Sequence, residues 1–237
     1  MSQPACQSQL IPDFQSKWIW LVWLAVEICF ASRTTVATAD PGEPPTGRLI
    51  ATGITLGVPT YAIGVILHEG SHALAATLLG ANVKQFSVIP GRYGPQRNFF
   101  FGYVRVTGLR GVRQRTFFWL APKLTDVILL GGFAALSVSK HLPANRYLAL
   151  SLTVFATGLW VDFSKDIIST RRANDVVKTY NAHGLTNELV RFPFRLAHAA
   201  LSIGAGYAIY RGFSHVFENR ANGAPMTIMA PFYTGRY

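Results

Sequence analysis

Residues 49–80, 117–139, 147–163 and 192–210 form four apolar blocks, each close to or beyond the length a bilayer crossing requires. A spanning helix takes about 20 mostly apolar residues. Backbone groups in hydrocarbon must be paired within the chain, so such blocks fold as helices or close into barrels. Only 14 % of the residues are charged and half are hydrophobic, whereas a soluble domain carries about 25 % charged residues. The expected fold is therefore an α-helical integral membrane protein with about four to five transmembrane helices.

The fifth candidate is WIWLVWLAVEICFA, residues 18–31, which follows Lys17. It is short for a span, and Trp18, Trp20 and Trp23 suit an interfacial belt. A signal peptide is the rival reading, because Ala37-Thr38-Ala39 resembles a cleavage site. Glu27 and the weak positive charge ahead of the block favour a retained anchor. The following DPGEPPTG, residues 40–47, is a linker, since its prolines and glycines do not continue a helix. The expected organisation is a tail, anchor and linker at 1–47, a membrane domain at 48–210 and a polar tail at 211–237. Cys6 and Cys29 are too few for a disulfide framework and fit no metal spacing.

Net charge is +11, from 22 Lys and Arg against 11 Asp and Glu. The basic residues flank apolar blocks, so they set topology and meet lipid headgroups rather than nucleic acid. Between Glu69 and Asp126 there is no acid, while Lys84, Arg92, Arg97, Arg105, Arg110, Arg113 and Arg115 all fall there. Short β-branched and aromatic runs broken by PGRYGP make this segment a β-hairpin or small β-element. Pro59 is expected to divide the block before it, leaving residues 61–79 as one helix. The positive-inside rule puts the basic element in the cytoplasm. His68, His72, Asp126, Asp162, Asp166 and Asp175 then fall toward one membrane face.

The preceding helix contains His68-Glu69-Gly70-Ser71-His72, an H-E-x-x-H pattern. Positions i and i+4 share one helix face. Two imidazoles so placed both reach one Zn²⁺, with the glutamate between them as general base toward water whose pKa the metal lowers to about 7. Gly70 and Ser71 are small enough to let another backbone approach. Short patterns of this kind also arise by chance, and a His–Glu pairing would offset some burial cost. A membrane setting favours the functional reading, because an ionisable residue there costs about 2.5–3.5 kcal/mol on translocon scales.

The run ILHEGSHALAATLLGANVKQFSVIPG resembles the site-2 protease family of intramembrane zinc metallopeptidases. His68, Glu69, His72, Ala73, Ala76, Gly80 and Val83 match its H-E-x-G-H-A-x-x-A and G-x-x-V pattern. LAPKLTDVILLGG is similar to its A-G-P-x-x-N helix, with Pro122 matching and Asp126 at the Asn position. The family's third ligand is an Asp from N-x-x-P and D-G motifs, and this chain has no such D-G. The resemblance implies Asp175, in Ala173-Asn174-Asp175, as the counterpart. Depth along the helices points instead to Asp126 or Asp162, since Asp175 needs its segment to fold back into the bundle. Asp166 is the fourth option. Each of these acids has a plainer role open to it, and Asn174-Asp175 suits a helix start.

Other polar residues in apolar blocks read as structural. Arg195 snorkels from a span end, His198 is a hydrogen-bonded core histidine, and His141, His183 and His215 lie in loops. The expected activity is zinc-dependent hydrolysis of a peptide bond within or beside a membrane segment. The substrate would be a membrane protein or peptide, and the basic element would pair with it by β-addition. The expected setting is the lipid bilayer of a bacterial inner (cytoplasmic) membrane, with the site toward the cytoplasm. The alternatives are a catalytically inactive scaffold or chaperone, motivated by the missing D-G, and a transporter using the acids as a proton relay.

Overall fold

The computed structural model describes residues 44–93, 98–171 and 174–217. The block at 18–31 and the small-residue site at 37–39 lie outside them. Helix α1 (Thr46–Leu78) leads into strands β1 (Asn82–Ser87), β2 (Gly91–Tyr93), β3 (Asn98–Phe100) and β4 (Tyr103–Thr107). Helices α2 (Gly111–Val138), α3 (Arg146–Ser164), α4 (Asp175–Ala182) and α5 (Glu188–Phe217) complete the order. The chain is thus mostly helical with a small β-element, as the apolar blocks and the PGRYGP segment suggest. Among the described residues, α1, α2 and α3 are long and apolar enough to cross a membrane. That is fewer than the four to five expected. The fourth long helix, α5, has 30 residues but includes Glu188, Arg191, Arg195 and His198 in its first half.

Helix α1 corrects the expected break at Pro59, which lies inside one continuous 33-residue helix. Proline removes one backbone donor, a loss that a membrane-type helix tolerates without breaking. Thr60 Oγ1 donates to the carbonyls of Leu56 (2.7 Å) and Gly57 (3.1 Å) in the same turn. The helix stops at a glycine for a geometric reason. Gly80 adopts φ +71°, and the amides of Gly80 and Ala81 return to the carbonyls of Thr77 and Ala76. This is a Schellman closure, which favours a residue without Cβ at that position. It turns the chain sharply into β1.

The β-element is two nested antiparallel pairs rather than a single hairpin. β1 pairs with β4, from Asn82↔Thr107 to Ser87↔Tyr103, with an irregularity between Val83 and Gln85. β2 pairs with β3, from Gly91↔Phe100 to Tyr93↔Asn98. Stacked Tyr93 and Tyr103 rings, 5.3 Å apart, join the two. The element seats on the end of α1 and the start of α2 through Val83, Val104, Val106 and Leu109, packed on Ala76, Ala81 and Phe118.

The main core lies between α2, α3 and α5, where Leu130, Phe133, Ala156, Leu159, Phe163, Ala208 and Ile209 meet. A second cluster of Leu49, Ala149, Leu150 and Val216 joins α1, α3 and α5. Outside these seams large apolar side chains are exposed, among them Ile54, Val58, Leu74, Ile128, Leu196 and Ile203. A water-soluble surface seldom carries so much. A lipid-facing one does.

Helix α5 runs past residue 211, the expected start of the polar tail, to Phe217, and residues 218–237 lie outside the described set. His215 belongs to that helix and bonds the Pro143 carbonyl at 3.0 Å. Arg195, expected to snorkel, is bonded within the protein. It donates to Glu188 and to the carbonyls of Ile167 and Ser169, holding the α3–α4 connection against α5. His198 bonds the Phe163 carbonyl at 3.0 Å, in keeping with a structural histidine.

Gly212 tests the helix seam. A Cβ there would lie 2.8 Å from both Phe133 Cζ and Thr153 Oγ1, whereas one at Gly204 would meet nothing within 4 Å. Gly212→Ala is expected to destabilise the protein by about 1–3 kcal/mol through overpacking. Gly204→Ala should be neutral or slightly stabilising. Thermal melts of the two variants in detergent measure the difference.

Candidate metal centre

Helix α1 presents His68 and His72 one turn apart, with ring centroids 5.2 Å from each other and planes nearly perpendicular. Each ring is fixed from behind. His72 Nδ1 lies 2.8 Å from the Phe118 carbonyl of α2, and its ring packs on the Phe118 ring at 4.7 Å. His68 Nδ1 lies 3.2 Å from Asp162 Oδ2 of α3. Both partners only accept hydrogen bonds, so each Nδ1 donates and each Nε2 is turned the other way.

Both Nε2 atoms turn toward Asp175. His72 Nε2 is 3.2 Å and His68 Nε2 is 3.9 Å from Asp175 Oδ2. Asp175 reaches them because the chain folds back after α3. Asn174 caps α4 by accepting from the amides of Val176 and Val177, at 3.0 and 3.2 Å, so the first residue of α4 is Asp175. His183, at the other end of α4, bonds Thr116 of α2 at 2.8 Å, which holds the short helix beside the histidines. Burial works to raise the Asp175 carboxyl, but the His68 and His72 rings and the Lys178 ammonium outweigh it. They hold the group well below the usual carboxylate range. It is therefore ionised, as a metal ligand must be.

The donor set suits a small divalent ion. One ligand atom from each of His68, His72 and Asp175 lies within 4.8 Å of the others. Two ligand atoms each about 2 Å from one tetrahedral ion sit roughly 3.3 Å apart. The His72–Asp175 separation meets this, and the His68–Asp175 separation needs a small closing movement. Nitrogen and oxygen ligands in this number, with each imidazole tied at its second nitrogen to a carboxylate or a backbone carbonyl, fit a zinc site. Two imidazole nitrogens aimed at an anionic oxygen need a cation or protons between them.

Glu69 lies on the same turn, partly buried, beneath the turn between β3 and β4. A Cβ on Gly102 would come within 2.5 Å of Glu69 Cγ and 2.8 Å of its Oε1. Glycine lets that turn close directly over the glutamate. Tyr61 of α1 meets Phe101 edge-on at 5.8 Å, which anchors the same turn. Ser71 Oγ lies 2.7 Å from Thr125 Oγ1, so the small residue between the histidines does admit α2.

Of the acids weighed from sequence, Asp175 is the one grouped with both histidines. Asp162 stands behind His68, and Asp126 and Asp166 lie around Lys123. Lys123 is the residue sequence reasoning misses. Its signal is a lysine three residues from an aspartate inside an apolar block, a costly pair that must find partners. Set against known proteins, the chain matches no family model, no curated protein and no solved structure.

The ligand assignment has a direct check. Asp175→Ala is expected to abolish stoichiometric zinc binding in the purified protein, and Asp126→Ala to retain it. Elemental analysis of the zinc-loaded, desalted variants measures both.

Proposed function

We propose that the protein is an integral-membrane zinc metallopeptidase of the site-2-protease type, cleaving peptide bonds within or beside a membrane segment. The observation that supports this reading best is the pairing of both Nε2 atoms with Asp175 while both Nδ1 atoms are engaged from behind. His68, His72 and Asp175 would hold the ion. When bound, zinc supplies Lewis acidity, polarising a peptide carbonyl and bringing the pKa of water toward about 7.

The remaining work belongs to side chains. Glu69 neighbours the two metal-binding histidines in sequence and accepts the proton of the attacking water. The water oxygen adds to the peptide carbon first; Glu69 then returns the proton to the amine nitrogen, and the C–N bond breaks as the carbonyl re-forms. The Phe101-Gly102 turn lies directly against Glu69 and would help to hold the carboxylate in place. Among the described residues each of the two sheets has two strands and so has outer edges. An extended, locally unfolded substrate segment would add to such an edge by backbone hydrogen bonds. The exposed apolar faces of the long helices fit a bilayer, and the run of basic side chains around the β-element supports a cytoplasmic orientation for the site.

Glu69→Gln separates catalysis from metal binding. It is expected to lower cleavage of a model transmembrane substrate by 10²–10⁴-fold while zinc content stays unchanged. Side-by-side proteolysis and metal analysis measure this. A variant with undiminished function in cells would instead favour a non-catalytic scaffold.

A further inference from the structure

Lys123 stands next to the candidate metal centre without belonging to it. Its ammonium meets Asp162 Oδ2 at 2.8 Å, Asp166 Oδ2 at 3.0 Å and Asp126 Oδ2 at 3.2 Å, with the Asp162 carbonyl at 2.9 Å. Lys123 is 7 % exposed and Asp166 3 %. Burying such a group is costly, and buried ion pairs are often no better for stability than apolar residues of the same volume. A role in placement explains it better than a role in cohesion.

Two of the three carboxylates make a second bond that leads to the candidate ligands. Asp162 offers the same Oδ2 to His68 Nδ1, at 3.2 Å. Asp166 uses its other oxygen, Oδ1, to accept from Asn174 Nδ2 at 2.6 Å. Asn174 caps α4, and the next residue is Asp175. One cation on α2 is thus connected to α3, to the loop after it and to the start of α4. The shape of an ammonium suits this task. Its three donors point apart and reach Asp126 Oδ2, Asp162 Oδ2 and the Asp162 carbonyl, while Asp166 is held as an ion pair, an arrangement a planar guanidinium does not reproduce.

We infer that Lys123 is a positioning residue for the metal centre, orienting His68 through Asp162 and seating Asp175 through Asp166 and Asn174. This rests on the reading of His68, His72 and Asp175 as zinc ligands. In the absence of the ammonium, Asp162 and Asp166 repel, and the two arms that fix the His68–Asp175 separation lose their common anchor.

The test is zinc affinity of the full chain in detergent, measured by competition with a chromophoric chelator, with far-UV circular dichroism to verify folding. Lys123→Met is expected to weaken zinc binding by about 10–100-fold, the range for loss of a group that supports a metal ligand. Asn174→Ser keeps a capping oxygen but not the bond to Asp166, and should weaken binding in the same direction by less. Lys123→Arg should not restore wild-type affinity. Ser137→Ala, which removes a buried bond to the Ala208 carbonyl far along α2, should lower stability and leave affinity alone. Wild-type affinity in folded Lys123→Met overturns the inference. If that variant does not fold, wild-type affinity in Asn174→Ser overturns it. A wild-type protein that binds no zinc removes the underlying site as well, whereas zinc binding that His72→Ala abolishes and Asn174→Ser leaves untouched removes this inference alone.

Discussion

Two imidazole nitrogens held against one carboxylate oxygen, inside a largely apolar helix bundle, form the constraint on which the other features depend. His72 Nε2 and His68 Nε2 approach Asp175 Oδ2 at 3.2 and 3.9 Å, and neither ring is free to rotate away. The Phe118 carbonyl requires α2 to pack closely on α1, which the small Ser71, bonded to Thr125, allows. The Asp162 contact requires α3 to lie on the other side. Asp175 requires a return of the chain after α3, and the Asn174 cap, the His183–Thr116 bond and the Arg195 contacts to the connecting loop secure it. Each helix placement serves the same few ångströms.

The membrane reading rests on a different balance. α1, α2 and α3 are long and apolar enough to span, and their outward faces expose large aliphatic side chains that lipid, not water, would cover. The polar groups that do enter the bundle are mutually satisfied. Lys123 meets three acids, Ser137 reaches the Ala208 carbonyl, and Trp160 Nε1 donates to the Ser202 carbonyl at 2.7 Å. Among the described residues no buried side-chain polar atom lacks a partner. This is the condition a low-dielectric surrounding imposes.

Much of the arrangement was legible from local signals. The helical spacing of His68 and His72 follows from 3.6 residues per turn, the stop at Gly80 from its freedom at positive φ, and the start of α4 from the Asn174 side chain. The β-element was readable from its β-branched runs, but not the nesting of β1–β4 around β2–β3, because strand pairing is decided by contacts distant in sequence. Pro59 misleads since its local cost is real but limited to one backbone donor within a continuous 33-residue helix. The third acid could not be chosen on depth alone: Asp126 and Asp162 were at suitable heights, yet both are claimed by Lys123. Lys123 showed its pairing with Asp126 in sequence but not its role as a hub, because Asp162 and Asp166 lie about forty residues further along the chain.

The central claim is that His68, His72 and Asp175 enclose one zinc ion, and X-ray absorption at the zinc edge of the metal-loaded full chain tests it most directly. The account predicts a four-coordinate shell of nitrogen and oxygen at about 2.0–2.2 Å with outer-shell imidazole scattering from two rings, and loss of one imidazole in His68→Ala. A six-coordinate oxygen shell without imidazole scattering, or a spectrum unchanged by that substitution, would contradict it.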